Sequence, residues 1–126
     1  YNTITDEISW VNGGHQPALL RDKNGKFEQV ESAAPPMGVI QQKNKSLYKI
    51  NRTKLNGKRF YAFTDGLSES LDSKGNEIGI EGSIKIIEKN FNDDVSKQLS
   101  NIAKDVEESS GKNKLSDDLT LIAIGK

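Results

Sequence analysis

Phe60-Tyr61-Ala62-Phe63-Thr64-Asp65-Gly66-Leu67 decides how this chain is read. Phe60 and Ala62 fall on one face of an extended segment, Tyr61 and Phe63 on the other. A run that is apolar on both faces belongs in the middle of a sheet. It stops abruptly at an acidic residue followed by glycine. The same order, reversed, closes the sequence, where Ser116-Asp117-Asp118 leads into Leu119-Thr120-Leu121-Ile122-Ala123-Ile124. Carboxylates at the ends of buried strands are costly unless they are paired or bound to a metal. If the two strands are antiparallel neighbours, the end of the first lies beside the start of the second, and Asp65 and Asp117 meet at one edge. A proton or a divalent cation then relieves their repulsion, and with oxygen donors alone Mg²⁺ or Mn²⁺ is the natural occupant. Taken singly, Asp65-Gly66 and Asp117-Asp118 would also suit an ordinary turn or cap. The metal reading rests on both occurring at apolar strand ends.

Upstream, the sequence reads as short strands separated by turn formers. Ile4 to Val11, Ala18 to Leu20 and Phe27 to Val30 are divided by Asn12-Gly13-Gly14 and by Asp22-Lys23-Asn24-Gly25, which predicts a meander. Pro35-Pro36 forces extended backbone or a turn, and Gly38 ends an irregular segment before a strand over Leu47 to Leu55. Asn56-Gly57 predicts a hairpin into Lys58 to Thr64. Downstream of Lys74-Gly75-Asn76 the period changes. Ile80, Ile84, Ile87 and Phe91 mark one amphipathic helix; Val95, Leu99, Ile102 and Val106 mark a second, opened by Asn92 or Asp93 and ended near Gly111.

Composition narrows the function. At 126 residues, with 33% hydrophobic and 29% charged, the chain fits one small domain with a modest core. Lys+Arg and Asp+Glu both number 18, so no net field recruits a nucleic acid or an anionic membrane. Lys43, Lys45, Lys49, Arg52 and Lys54 surround an apolar Leu47-Tyr48-Ile50 alternation and read as a solvated strand face. Cysteine is absent, which removes disulfides, thiol nucleophiles and cysteine zinc sites and is compatible with the cytosol. His15, the single histidine, cannot build a multi-histidine zinc site and reads as a turn residue bonded to backbone. Ser68 and Ser70 lack a partner base, Trp10 reads as core, and no apolar run is long enough to cross a bilayer.

Four stretches then carry a resemblance: Ser9-Trp10-Val11-Asn12-Gly13-Gly14-His15-Gln16-Pro17-Ala18-Leu19-Leu20, Pro36-Met37-Gly38-Val39, Phe63-Thr64-Asp65-Gly66-Leu67-Ser68-Glu69-Ser70 and Asp117-Asp118-Leu119-Thr120-Leu121. Their order and spacing resemble the SpoIIE-like branch of the PPM-type metal-dependent serine/threonine phosphatases, over essentially the whole chain. The resemblance implies an α+β fold, an antiparallel β-sandwich flanked by α-helices. Two Mn²⁺ or Mg²⁺ ions at one edge would activate a water or hydroxide for in-line attack on phosphoserine or phosphothreonine. It makes Asp65 and Asp117 the metal ligands. Asp118 and Gly66 would stand behind them, and Glu69 would do so too or serve as a helix-start acid.

Family members carry further acidic ligands in an earlier segment. Gly13-Gly14-His15 is not that element, because no Asp precedes the glycine. The resemblance therefore implies that residues 1–126 are the C-terminal part of a single phosphatase domain. By itself this part would be inactive, would hold metal loosely and would rebury open strand edges as a homodimer. The implied substrate is a phosphorylated protein, an anti-sigma-factor antagonist. The implied setting is the cytoplasm, with no nucleic acid and no direct membrane contact by this domain, whether or not the parent is membrane-anchored. A non-catalytic regulatory or partner-binding module of the same fold is the alternative.

Overall fold

The computed structural model describes residues 1–30, 34–39, 48–72, 74–110 and 118–125. Its elements are β1 (Glu7–Trp10), β2 (Ala18–Arg21), β3 (Phe27–Val30), β4 (Asn51–Lys54), β5 (Arg59–Phe63), α1 (Asp65–Ser68), α2 (Gly79–Lys89), α3 (Val95–Ser110) and β6 (Leu121–Ile124). Strands paired in antiparallel fashion and accompanied by helices make this an α+β fold, as the sequence implies. Two compact units divide the chain, Tyr1–Phe60 and Tyr61–Lys126, so the boundary falls inside β5.

In the first unit β1 pairs with β4, Glu7 opposite Lys54 and Trp10 opposite Asn51, while β2 pairs with β3, Ala18 opposite Val30. The predicted meander is thus wrong for β1, whose partner is β4 and not β2. The reason lies in the connection that follows β1. The Asn12 amide nitrogen donates to the carbonyls of His15 (3.0 Å) and Gln16 (3.3 Å), and its oxygen accepts from the His15 amide (2.8 Å). This closes a tight loop where a β1–β2 hairpin would need extended chain. Gly14 makes the loop possible: its φ is +83°, and a Cβ there would collide with Pro36.

Asn56-Gly57 forms the expected turn, with φ values of 48° and 81° and the Lys58 amide donating to the Leu55 carbonyl at 2.8 Å. The hairpin does not follow, because β4 and β5 belong to different sheets. Asp6 explains the divergence. At φ +53° its carbonyl accepts from Leu55 N (2.9 Å) and its carboxylate from Asn56 N (2.8 Å), which holds the end of β4 beside β1. Ile8, Leu19, Leu20, Leu55 and Phe60 are buried, and Trp10 meets Phe60 at 5.3 Å between ring centroids in a tilted pair. Asn51–Lys54 alternates half-buried and exposed, with Arg52 and Lys54 outward, as a solvated face should. Leu47, Lys43 and Lys45 lie outside the described residues.

In the second unit β6 runs beside β5. Tyr61 and Phe63 are buried, and so is one stripe of each long helix: Ser83 and Ile87 on α2, then Gln98, Ile102 and Val106 on α3. That four-residue spacing is the amphipathic period read from the sequence. The start of α3 needs correction. Neither Asn92 nor Asp93 caps it; the Asp94 carboxylate accepts from the amides of Ser96 (3.0 Å) and Lys97 (3.2 Å). Asn92 is spent one step earlier, accepting from the Asp94 amide at 2.9 Å and so forming the turn that presents the cap. Gly111 lies outside the described residues. A buried polar link crosses this unit: the Tyr61 hydroxyl donates to Gln98 Oε1 (3.1 Å), and Gln98 Nε2 donates to the Ile87 carbonyl (3.1 Å).

Candidate metal centre at the β5–β6 edge

Beyond Phe63 the chain leaves β5 through Thr64, still extended at φ −73° and ψ 164°, and turns at once into α1. Thr64 stands where a helix-capping hydroxyl would be expected, yet it makes no cap. Its hydroxyl donates to the Asp118 carbonyl (2.9 Å) and accepts from the Thr120 amide (2.9 Å), while its own amide donates to the Thr120 carbonyl (3.0 Å). In an antiparallel ladder the Thr120 amide would return to the Thr64 carbonyl. That carbonyl already accepts from Leu67 N (3.2 Å) as α1 begins. The hydroxyl takes its place, so one residue ends a strand and starts a helix at the same point. The end of β5 therefore lies against the start of β6, the juxtaposition that antiparallel neighbours produce.

Asp65 follows directly. Its backbone is held by Leu67, fully buried beneath α1, and by the Asp65 carbonyl accepting from the Glu69 amide (2.8 Å) and the Ser68 hydroxyl (3.1 Å). The residue itself is exposed. Gly66 is buried and its carbonyl accepts from the Ser70 hydroxyl at 2.7 Å. The Ser68 and Ser70 hydroxyls thus donate to helix carbonyls. Asp118 is exposed, and its carbonyl is the one that Thr64 binds. Asp117 lies outside the described residues. Glu69 is exposed and stands at the C-terminal end of α1, so it is not a helix-start acid; Asp65 occupies that first turn. His15 is exposed, its amide bonded to Asn12 and its Nδ1 3.1 Å from the Gln16 carbonyl, the turn role expected of it.

The donor chemistry at this edge fits a hard divalent cation in kind, because the side chains on offer are carboxylates. Among the described residues no group of three or more His, Cys, Asp or Glu side chains comes together. The described carboxylates at this edge are those of Asp65 and Asp118, both exposed.

Thr64 is the participant that sequence reasoning missed. The signal was present in a β-branched hydroxyl residue between an apolar strand and Asp-Gly, a place where a side-chain oxygen can stand in for a ladder carbonyl.

The family model for Stage II sporulation protein E (SpoIIE) matches residues 1–126. The chain belongs to the SpoIIE family. Among curated proteins none matches. Solved structures with the same fold include the SiaA-PP2C domain of Pseudomonas aeruginosa, with a TM-score of 0.77 at 14% identity over 97% of this chain and 47% of that one. The RsbU and RsbW domains of a Mycobacterium tuberculosis protein give 0.67 at 22% identity, over 98% and 33%. The manganese-presoaked phosphatase domain of SpoIIE from Bacillus subtilis gives 0.67 at 14% identity, over 98% and 52%. The chain spans about half, or less, of the length of these solved chains. The family is SpoIIE, and the fold is the one these solved PP2C and phosphatase domains share. Among the described residues no helix is long and apolar enough to cross a membrane.

Proposed function

We propose that this chain is the C-terminal part of a single SpoIIE-type phosphatase domain and contributes ligands to a divalent metal centre that hydrolyses a phosphoserine or phosphothreonine protein. The observation that carries the reading is the exposed Asp65, set at the end of β5 where Thr64 ties that end to Asp118 and Thr120. Asp65 and Asp117 would hold the metal, Mn²⁺ or Mg²⁺; Asp118, Glu69 and Gly66 would support that edge without touching it. When bound, such a pair of cations supplies an activated water and neutralises charge on the phosphoryl oxygens. The chain's own part is to hold the Asp65 carboxylate at this edge and keep it open to solvent. Buried Leu67 and Gly66 do so for Asp65 by anchoring the turn beneath it. The substrate class we infer, as the motif resemblance implies, is a phosphorylated anti-sigma-factor antagonist in the cytoplasm.

In the full-length protein, Asp65→Asn and Asp117→Asn are each expected to lower Mn²⁺-dependent hydrolysis of a phosphoserine protein by roughly a hundredfold, since each removes a negatively charged ligand. Circular dichroism should stay unchanged. Wild-type turnover in either folded variant would overturn the assignment and favour a non-catalytic module of the same fold. Glu69→Gln should do less harm than either. Equal loss of metal affinity would make Glu69 a ligand.

A further inference from the structure

We infer that Thr64 is a positioning residue for the metal centre, a role that rests on the reading of Asp65 as a ligand. A carboxylate that holds a cation must be fixed in place, and the strand that carries Asp65 ends just before it. This side chain contributes two bonds where the end of β5 meets the start of β6: its hydroxyl binds the Asp118 carbonyl and the Thr120 amide, each at 2.9 Å. Asp65 is its covalent neighbour on one strand and Asp118 its hydrogen-bonded neighbour on the other. Removing the hydroxyl takes away its bonds to the Asp118 carbonyl and the Thr120 amide and so loosens the join on the β6 side. The Thr64 amide still holds the Thr120 carbonyl at 3.0 Å, so the strands stay together with a looser spacing. Serine keeps the hydroxyl that matters. Valine keeps the shape and loses it.

The experiment uses the full-length protein carrying Thr64→Val, Thr64→Ser, Asp65→Asn or the core truncation Ile102→Val. Calorimetric titration with Mn²⁺ should show affinity weakened roughly tenfold in Thr64→Val and retained within about threefold in Thr64→Ser, in line with the effect of residues that orient metal ligands. Hydrogen exchange without metal should show the Thr120 amide opening roughly tenfold faster in Thr64→Val and little changed in Thr64→Ser. At saturating Mn²⁺ the KM for the phosphoprotein should be unchanged in Thr64→Val. Ile102→Val, which loosens packing away from this edge, should leave Mn²⁺ affinity intact. If Asp65→Asn loses Mn²⁺ while folded Thr64→Val binds it as wild type does, the positioning role is wrong and the metal reading stands. If Asp65→Asn binds Mn²⁺ normally, the metal reading itself fails. Should Thr64→Val not fold, Thr64→Ala carries the same comparison, and wild-type affinity there overturns the inference.

Discussion

The Asp105 carboxylate on α3 accepts from two donors at the end of α2, Lys89 Nζ at 2.7 Å and Asn90 Nδ2 at 2.8 Å. The Lys89 hydrogen bond first, and Asn90 after it, hold the Asp105 carboxyl below the usual carboxylate range against the opposing effect of burial. A lowered folded-state value means the folded chain binds fewer protons than the unfolded one. The resulting stability is complete above the unfolded pKa of about 3.9 and is lost as pH falls through the lower folded value. Asp22 and Asp72 are lowered too, chiefly by backbone amides of Lys26 and Asn76 respectively, and act in the same direction and window. Asp105→Asn is therefore expected to destabilise at pH 7 by about 1 kcal/mol, since Lys89 is largely solvent-exposed and the pair is screened. The loss should shrink toward zero below about pH 4. Urea titrations across that range measure it; a loss that does not vary with pH would show that the charge contributes nothing.

Between elements, the Tyr61–Gln98–Ile87 link is buried, and Gln98 has no exposure to water. Gln98→Leu removes its buried bonds to the Tyr61 hydroxyl and the Ile87 carbonyl. A cost of about 2–3 kcal/mol is expected, read from the urea midpoint with unchanged slope. A loss under about 0.5 kcal/mol would mean that water or another group satisfies Tyr61. Strands and helices with clear periodicity were legible: β2, β3, β5, α2 and α3 stand close to where the pattern puts them. Three features were not. The β1–β4 pairing depends on Asp6, whose carbonyl and carboxylate act on residues some fifty positions away. Helix α1 has four residues, too few to show a period. The cap of α3 passed from Asn92 to Asp94 because two short polar side chains compete within three residues. At the candidate site Asp65 was legible as a carboxylate at a strand end, whereas the Thr64 join was not, since it exists only once β6 arrives.

For the molecule as a whole, β6 runs beside β5 with no further strand on its other side among the described residues, and Ile122 on it is half exposed. An apolar strand at a sheet edge invites pairing. The isolated chain is expected to self-associate, and Ile122→Lys, a charge placed on that strand, should shift it toward monomer. Light scattering at high micromolar concentration decides; a monodisperse monomer with concentration-independent unfolding would refute the expectation.

The Asn56-Gly57 turn also bears on how the chain reaches its fold. Two segments joined by so tight a turn can meet within microseconds, whereas β1 and β4 must close a loop from Trp10 to Asn51 before they touch. The fastest encounter is therefore one the native sheets do not keep. Refolding should show a rollover at low denaturant, as molecules caught in the local hairpin must reopen before β1 can claim β4. Asn56→Ala, which weakens that turn at its positive-φ residue, should relieve the rollover even while it lowers equilibrium stability. Speed and stability would then answer to the same two residues with opposite signs.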